Sequence, residues 1–237
     1  MRRAGLAALA LGLGLGLGLA AWLTGAYAPD PPAAAHREAG PLPAAGPLRI
    51  VALGTSLTRN GGWPDKLAAL LTACSGRAVA VERIAKVGAN SDWGLAQADR
   101  VVAARPDLVL VEFAVNDADL TDGLNIARAD ANHRALVAAI RAAAPETRLV
   151  LMTTNPAHGL RGLIRPWLAA HNARYRSLAA EQGLGLIDLA PIWRAALAEG
   201  DARTMLPDGL HPTEAAVDEV ALPVIAAQLG RLLPGCS

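Results

Sequence analysis

Five short apolar runs punctuate the chain from residue 48 onward. Arg49-Ile50-Val51-Ala52-Leu53 is the first, ended by Gly54, and Val79–Ile84, Leu108–Phe113, Arg148–Thr153 and Leu184–Leu189 follow. Short runs bounded by turn residues, without a polar face, predict strands buried on both sides. Between them the polar positions fall at helical spacing. One helix is expected over 64–71, opened by Pro64 in its first turn. Others are expected from the Ser91-Asp92 cap to about Ala104, over 126–144 up to Pro145, over 166–182, and over 213–233 with Pro223 as a break point. Alternation of strand and helix predicts an α/β fold: an open five-stranded parallel sheet with helices on both faces, three layers deep, flavodoxin-like. Such sheets bind ligands beyond the carboxyl ends of their strands. The residues just after each strand are therefore the ones to read for chemistry.

The N-terminal part has a different pattern. Arg2 and Arg3 precede an uncharged run from Ala4 to Leu23, and Ala26-Tyr27-Ala28 has the small-x-small form of a signal peptidase site. Residues 1–28 thus read as an export signal, or as a retained N-terminal membrane anchor, since about 20 apolar residues suffice to span a bilayer. Either reading places the protein outside the cytoplasm: periplasmic, secreted, or held to the membrane by its N-terminus. Residues 29–47 are rich in Pro, Ala and Gly and read as a linker, possessing neither helical nor strand periodicity. The folded domain is expected over 48–234.

Composition adds bounds. The formal net charge is +1, which gives no reason to expect a nucleic-acid partner. Two cysteines, Cys74 and Cys236, are present, and in an exported protein they are a candidate disulfide joining the first helix to the C-terminus. No pair of histidines has metal-ligand spacing with a carboxylate, so neither a metal nor another cofactor is expected.

The strand ends carry a specific set of groups. Gly54-Thr55-Ser56-Leu57-Thr58 follows the first strand, Val87-Gly88-Ala89-Asn90 the second, Ala114-Val115-Asn116-Asp117 the third, and Asp208-Gly209-Leu210-His211 precedes the last helix. A serine hydroxyl is a poor nucleophile until a neighbouring base takes its proton. Imidazole suits that task, provided a carboxylate holds it in one tautomer. Asp208 and His211 stand three apart on a turn-forming segment, so one loop can present both. An acyl-transfer oxyanion needs donors fixed in advance, and the Ser56 amide, the Gly88 amide and the Asn116 side chain are the candidates. Alone, Ser56 would read as a turn cap, Gly88 as a turn glycine, and Asn116 and Asp208 as loop formers. Together, at successive strand ends, they read as a site. Asp117 reads as a brace for its loop.

These four blocks resemble those of the SGNH (GDSL-type) hydrolase superfamily, over roughly Leu48 to Leu233. The resemblance implies Ser56, Gly88, Asn116 and His211 as the four naming residues and Asp208 as the acid. Two positions depart from the family pattern: Thr55 stands where Asp is common, and Ala114 stands where a glycine usually precedes the asparagine by two residues. The second puts the size of the acyl pocket in question. The implied activity is serine-dependent hydrolysis of small carboxylic esters, acyl or O-acetyl, on a small molecule or a glycan. A glycan O-acyltransferase and a non-catalytic binding module on the same fold are the alternatives. A Gly-x-Ser-x-Gly nucleophile elbow does not fit, because Thr58 occupies its last position. Of the other histidines, His133 and His171 are expected on helix surfaces, and His158 on the active rim as a candidate substrate contact. Arg161 and Arg165 are expected in solvent. Trp63 and Trp93, which follow the first two blocks, are candidates for pocket or core.

Overall fold

The computed structural model describes residues 31, 33–121 and 124–236. The apolar runs form five strands: β1 (Leu48–Gly54), β2 (Val79–Ala85), β3 (Leu108–Glu112), β4 (Arg148–Met152) and β5 (Gly185–Ile187). All neighbours are parallel, in the order β2-β1-β3-β4-β5. The chain therefore reverses its direction of winding between β1 and β3. That is where the crevice of an open α/β sheet lies.

Alternate strand residues feed two cores. Ile50, Ala52, Leu108, Leu110, Val150 and Met152 point to one face. There they meet α2 (Trp63–Ser75), α9 (Ala190–Glu199) and α12 (Leu222–Gly230). Val51, Leu53, Val109, Val111, Leu149 and Leu151 point to the other. They meet α4 (Ala98–Ala103), α6 (Ile126–Ala143) and α8 (Leu168–Gln182). Short helices sit at the strand ends: α1 (Ser56–Arg59), α3 (Ser91–Leu95), α5 (Ala114–Asp117), α7 (Gly159–Leu163), α10 (Ala202–Met205) and α11 (Glu214–Ala216). This is the three-layer arrangement expected from the pattern of runs.

Several elements differ from expectation. The helix expected over 91–104 is two, α3 and α4, with Gly94 packed so closely on Phe113 that a Cβ would lie 2.5 Å from its ring. The last helix is broken upstream of Pro223 by a π turn, Val217–Ala221, between α11 and α12. Proline lacks the N–H that a regular turn would use, and the wider turn accommodates it. Helix α9 was not expected, although Pro191 in its first turn is a start signal. The segment read as a free linker is docked. Arg37 exchanges both backbone hydrogen bonds with Leu186, at the open edge of β5. Asp188 Oδ2 accepts from Ala35 N, Arg148 donates to Pro41 O, and Arg77 donates to the carbonyls of Pro43, Ala45 and Gly46. Proline and glycine carbonyls need no ladder when side chains supply the donors. Cys74 and Cys236 form a disulfide. The expected signal or anchor, residues 1–28, lies outside the described residues. Among the described residues no helix is long and apolar enough to cross a membrane.

Candidate active site

Ser56 opens α1 immediately after β1, with Thr55 as its cap: Thr55 Oγ1 accepts from Leu57 N. Ser56 is buried at 4% exposure. Its hydroxyl lies 2.8 Å from His211 Nε2, and His211 Nδ1 lies 2.7 Å from Asp208 Oδ2. Nδ1–H donating to the carboxylate leaves Nε2 to accept the serine proton, which is the tautomer a general base needs.

The turn from Asp208 to His211 is built for this contact. Asp208 Oδ1 accepts from Leu210 N at 2.9 Å and His211 N at 2.7 Å. Burial alone would raise the Asp208 pKa, but the side-chain and backbone donors of His211 and the Leu210 amide outweigh it, so the carboxyl is held well below the usual range. Gly209 takes φ +83°, and a Cβ there would meet His158 O at 2.5 Å, so glycine is required twice over. Asn155 Nδ2 donates to Leu210 O, and His158 N to Gly209 O. The His158 ring faces the carbonyls of Ala202 and Leu206 through Nε2. It therefore braces the turn from below, where a substrate contact had been one reading.

Gly88 and Asn116 lie on the neighbouring loops. Gly88 sits with φ +72° in the turn closed by Ala89 N on Lys86 O, and Lys86 N donates to Gly54 O beside the serine. Asn116, in α5, donates through Nδ2 to Ala89 O at 2.8 Å. The order β2-β1-β3 thus places the three loops that carry the candidate donors next to one another. Asp117 accepts from Ser91 N at 2.7 Å and braces the same loops, as expected. Ala114 is fully buried in the core of the α4/α6/α8 face. Its methyl is absorbed by packing there.

One important group escaped sequence reading. Glu112, at the end of β3, is buried directly beneath the serine loop. Its carboxylate receives Thr55 N (2.8 Å), Thr55 Oγ1 (3.0 Å) and Thr58 Oγ1 (2.7 Å). Burial pushes its pKa up to about 7, against the pull of those donors. A carboxylate ending an otherwise apolar buried strand was the available signal. Its presence also accounts for Thr55: an aspartate there would face a second carboxylate and disfavour ionisation of both, whereas threonine donates.

Two expectations about surface residues fail. His133 and His171 are buried, at 3% exposure each. His133 Nδ1 bonds Ala129 O, and its Nε2 lies 2.8 Å from the Tyr175 hydroxyl, which in turn accepts from Phe113 N. Burial depresses both imidazoles to about 4, so both are neutral near pH 7. Arg165 is also buried, ion-paired with Asp119 and donating to Val115 O. It ties the loop after β4 to the loop after β3. Arg161 is exposed as expected. Trp93 packs edge-on against Phe113, while Trp63 lines a cavity described below. Among the described residues no cluster of three or more His, Cys, Asp or Glu side chains is placed to hold a metal.

Residues 50–218 match the model of the GDSL-like lipase/acylhydrolase family. The chain belongs to that family. No curated protein sequence matches it significantly. Among solved structures it resembles a lipase/acylhydrolase from Enterococcus faecalis, at 25% identity and TM-score 0.65, over 79% of this chain and 98% of that one. An acetylxylan esterase from Geobacillus stearothermophilus aligns at 18% identity and TM-score 0.67, over 81% and 97%. An α/β hydrolase from the metagenome of Lake Arreo, Spain, aligns at 20% identity and TM-score 0.69, over 79% and 97%. The family supports carboxylic ester hydrolysis as the activity, and the solved structures share the expected SGNH fold.

Proposed function

We propose that this GDSL-family esterase is exported and cleaves small carboxylic esters through an acyl-enzyme on Ser56. The observation that carries the mechanism is the continuous hydrogen-bonded chain from Ser56 Oγ through His211 to Asp208. In this reading Ser56 Oγ attacks the ester carbonyl carbon while His211 Nε2 takes its proton. The negative oxygen so formed is met by the Ser56 and Gly88 amides and by Asn116 Nδ2. Collapse breaks the ester C–O bond, and His211 returns the proton to the departing alcohol. Water then adds to the acyl carbon with His211 again as base, and the acid leaves as Ser56 recovers its proton. Asp208 stays ionised throughout and holds the imidazole.

Export is supported by the Arg2-Arg3 and Ala4–Leu23 pattern together with the Cys74–Cys236 disulfide, which persists in oxidising compartments. An N-terminal anchor would tether the enzyme at a membrane. Esters of small acyl groups, including glycan O-acetyl groups, are the proposed substrates; the fold neighbour named as an acetylxylan esterase lends this support by analogy.

The test uses the purified full chain with p-nitrophenyl acetate. Ser56→Ala is expected to lower kcat by at least about 10³-fold, and a fluorophosphonate is expected to label the wild type and not Ser56→Ala. Turnover that persists in Ser56→Ala would overturn the mechanism.

A further inference from the structure

A cavity of about 280 Å³ opens beside Ser56 and His211 and runs inward between α2, α9 and the C-terminal helices. Its lining is mainly apolar: Trp63, Met152, Leu189, Trp193, Ala221 and Ile225, all nearly excluded from solvent. Gly88, Ala89 and Asn116 do not line it. It lies on the α2/α9/α12 face of the sheet, whereas Ala114 is packed in the core of the opposite face. The family departure at Ala114 therefore leaves this cavity untouched.

We propose that the cavity is the acyl-chain site of the enzyme, and that it selects medium-length, unbranched acyl groups over acetyl. The proposal rests on the esterase reading above for its chemistry and revises its substrate range: acetyl esters are still turned over, as the slow end of the acyl series, and medium-length acyl esters are preferred. A tetrahedral carbon on Ser56 has three further directions. The oxyanion lies toward Gly88 and Asn116, so the cavity receives either the acyl chain or the alcohol. Buried Met152, Leu189 and Ile225 wall the cavity beyond its mouth. An alcohol released there would have to return past the new Ser56 ester before water could enter. An acyl chain stays joined to Ser56 and leaves with it after hydrolysis. The chemistry thus favours the acyl chain.

The cavity wall has a built feature of its own. The π turn Val217–Ala221 supplies two lining residues, Val217 at its start and Ala221 at its end. Single π turns inside helices concentrate at functional sites, and here the wide turn carries the small Ala221 side chain to the wall. As to capacity, an apolar cavity of roughly 150 Å³ holds one benzene, so this volume suits an acyl chain of about six to ten carbons. Each methylene moved from water into such a slot is expected to raise kcat/KM by up to about fourfold until the slot is full.

The experiment varies one side of the ester at a time on the full chain. With p-nitrophenyl esters from acetate to palmitate, kcat/KM is expected to climb at least tenfold to an optimum between hexanoate and decanoate, then fall. With acetate esters of alcohols of increasing length, no such climb is expected. Ala221→Phe and, separately, Val217→Phe are expected to move the optimum to shorter chains, lowering the ratio of decanoate to acetate turnover at least tenfold, with folding read independently from melting temperature and fluorophosphonate labelling of Ser56. A flat or declining acyl series, or a chain-length optimum in the alcohol series instead, overturns the assignment. Those results leave the serine mechanism standing if acetate turnover still depends on Ser56. Loss of that dependence would instead overturn the mechanism beneath it.

Discussion

Glu112 touches no substrate, yet it holds the residue before the nucleophile by both backbone and side chain. Its environment makes a pH-dependent prediction. Its folded-state pKa of about 7 stands above its ordinary value of 4.5, because burial disfavours the charge. The folded protein therefore binds this proton more tightly than the unfolded chain. The resulting stability is fully present below about pH 4.5 and is lost as pH rises through about 7. Glu112→Gln keeps the shape and removes the titration. Its melting temperature, measured against the wild type, is expected to improve steadily from pH 5 to pH 8; a difference that does not change with pH would refute the account. His133 and His171 titrate in the opposite sense. Their depressed values withdraw stability as pH falls from about 6.5 toward 4, but they are common to both proteins and cancel in the difference. These buried ionisable groups were not legible in the sequence. A histidine on the inner face of a helix has the same letter as one on the outer face, and His133 is satisfied by Tyr175, forty-two residues away. The serine, glycine, asparagine and Asp-x-x-His turn were legible because each ends a strand or opens a helix in order. Topology alone brings such ends together.

At the scale of elements, the docked segment before β1 shows what a pattern of residues cannot reveal. Residues 33–47 have no periodicity, since their hydrogen bonds come from elsewhere: Arg77, Arg148 and Asp188 on the body, and the backbone of Leu186. The consequence is a covered edge on β5, which would otherwise expose unpaired backbone. His36 closes this arrangement by accepting from Asp188 N through Nδ1 at 3.1 Å. His36→Ala removes that acceptor and is expected to loosen the segment without reaching the active site. Trypsin cleavage after Arg37 should rise several-fold while kcat on p-nitrophenyl acetate stays within about twofold of the wild type. An unchanged cleavage rate would mean that the other contacts alone hold the segment. The strands themselves were readable because buried parallel strands are continuous apolar runs. Helix α9 and the four- and five-residue helices were not. Short helices carry less than two turns of periodicity, and the apolar run before α9 continues to Leu189, two residues past the end of β5 at Ile187, which hides the helix start at Pro191.

The whole molecule is closed by one covalent bond whose position separates stability from catalysis. Helix α2 begins at the active rim, where Trp63 lines the acyl cavity, and runs antiparallel to β1 and β2 to end at Ser75. Cys74 therefore lies at the far end of the sheet from Ser56, roughly 16 Å along the helix from Trp63 at 1.5 Å per residue. Its bond to Cys236 spans 162 residues of sequence and ties the C-terminal segment after α12 to α2. Closing so long a loop restricts the unfolded chain, and disulfides of this kind contribute about 2–4 kcal/mol, with chain-entropy estimates near 5. For a domain of this size that corresponds to about 5–15 °C in melting temperature. Cys74→Ser with Cys236→Ser, or reduction of the wild type, is expected to lower Tm by that amount. The rate on p-nitrophenyl acetate at 25 °C should stay within about twofold, since neither sulfur approaches the rim. The acyl-chain optimum is the more sensitive readout. Helices α2 and α12 form two walls of the cavity, and loosening their shared end is expected to broaden the chain-length profile while acetate turnover is spared. A loss of acetate turnover at 25 °C would show instead that the bond supports the serine site directly.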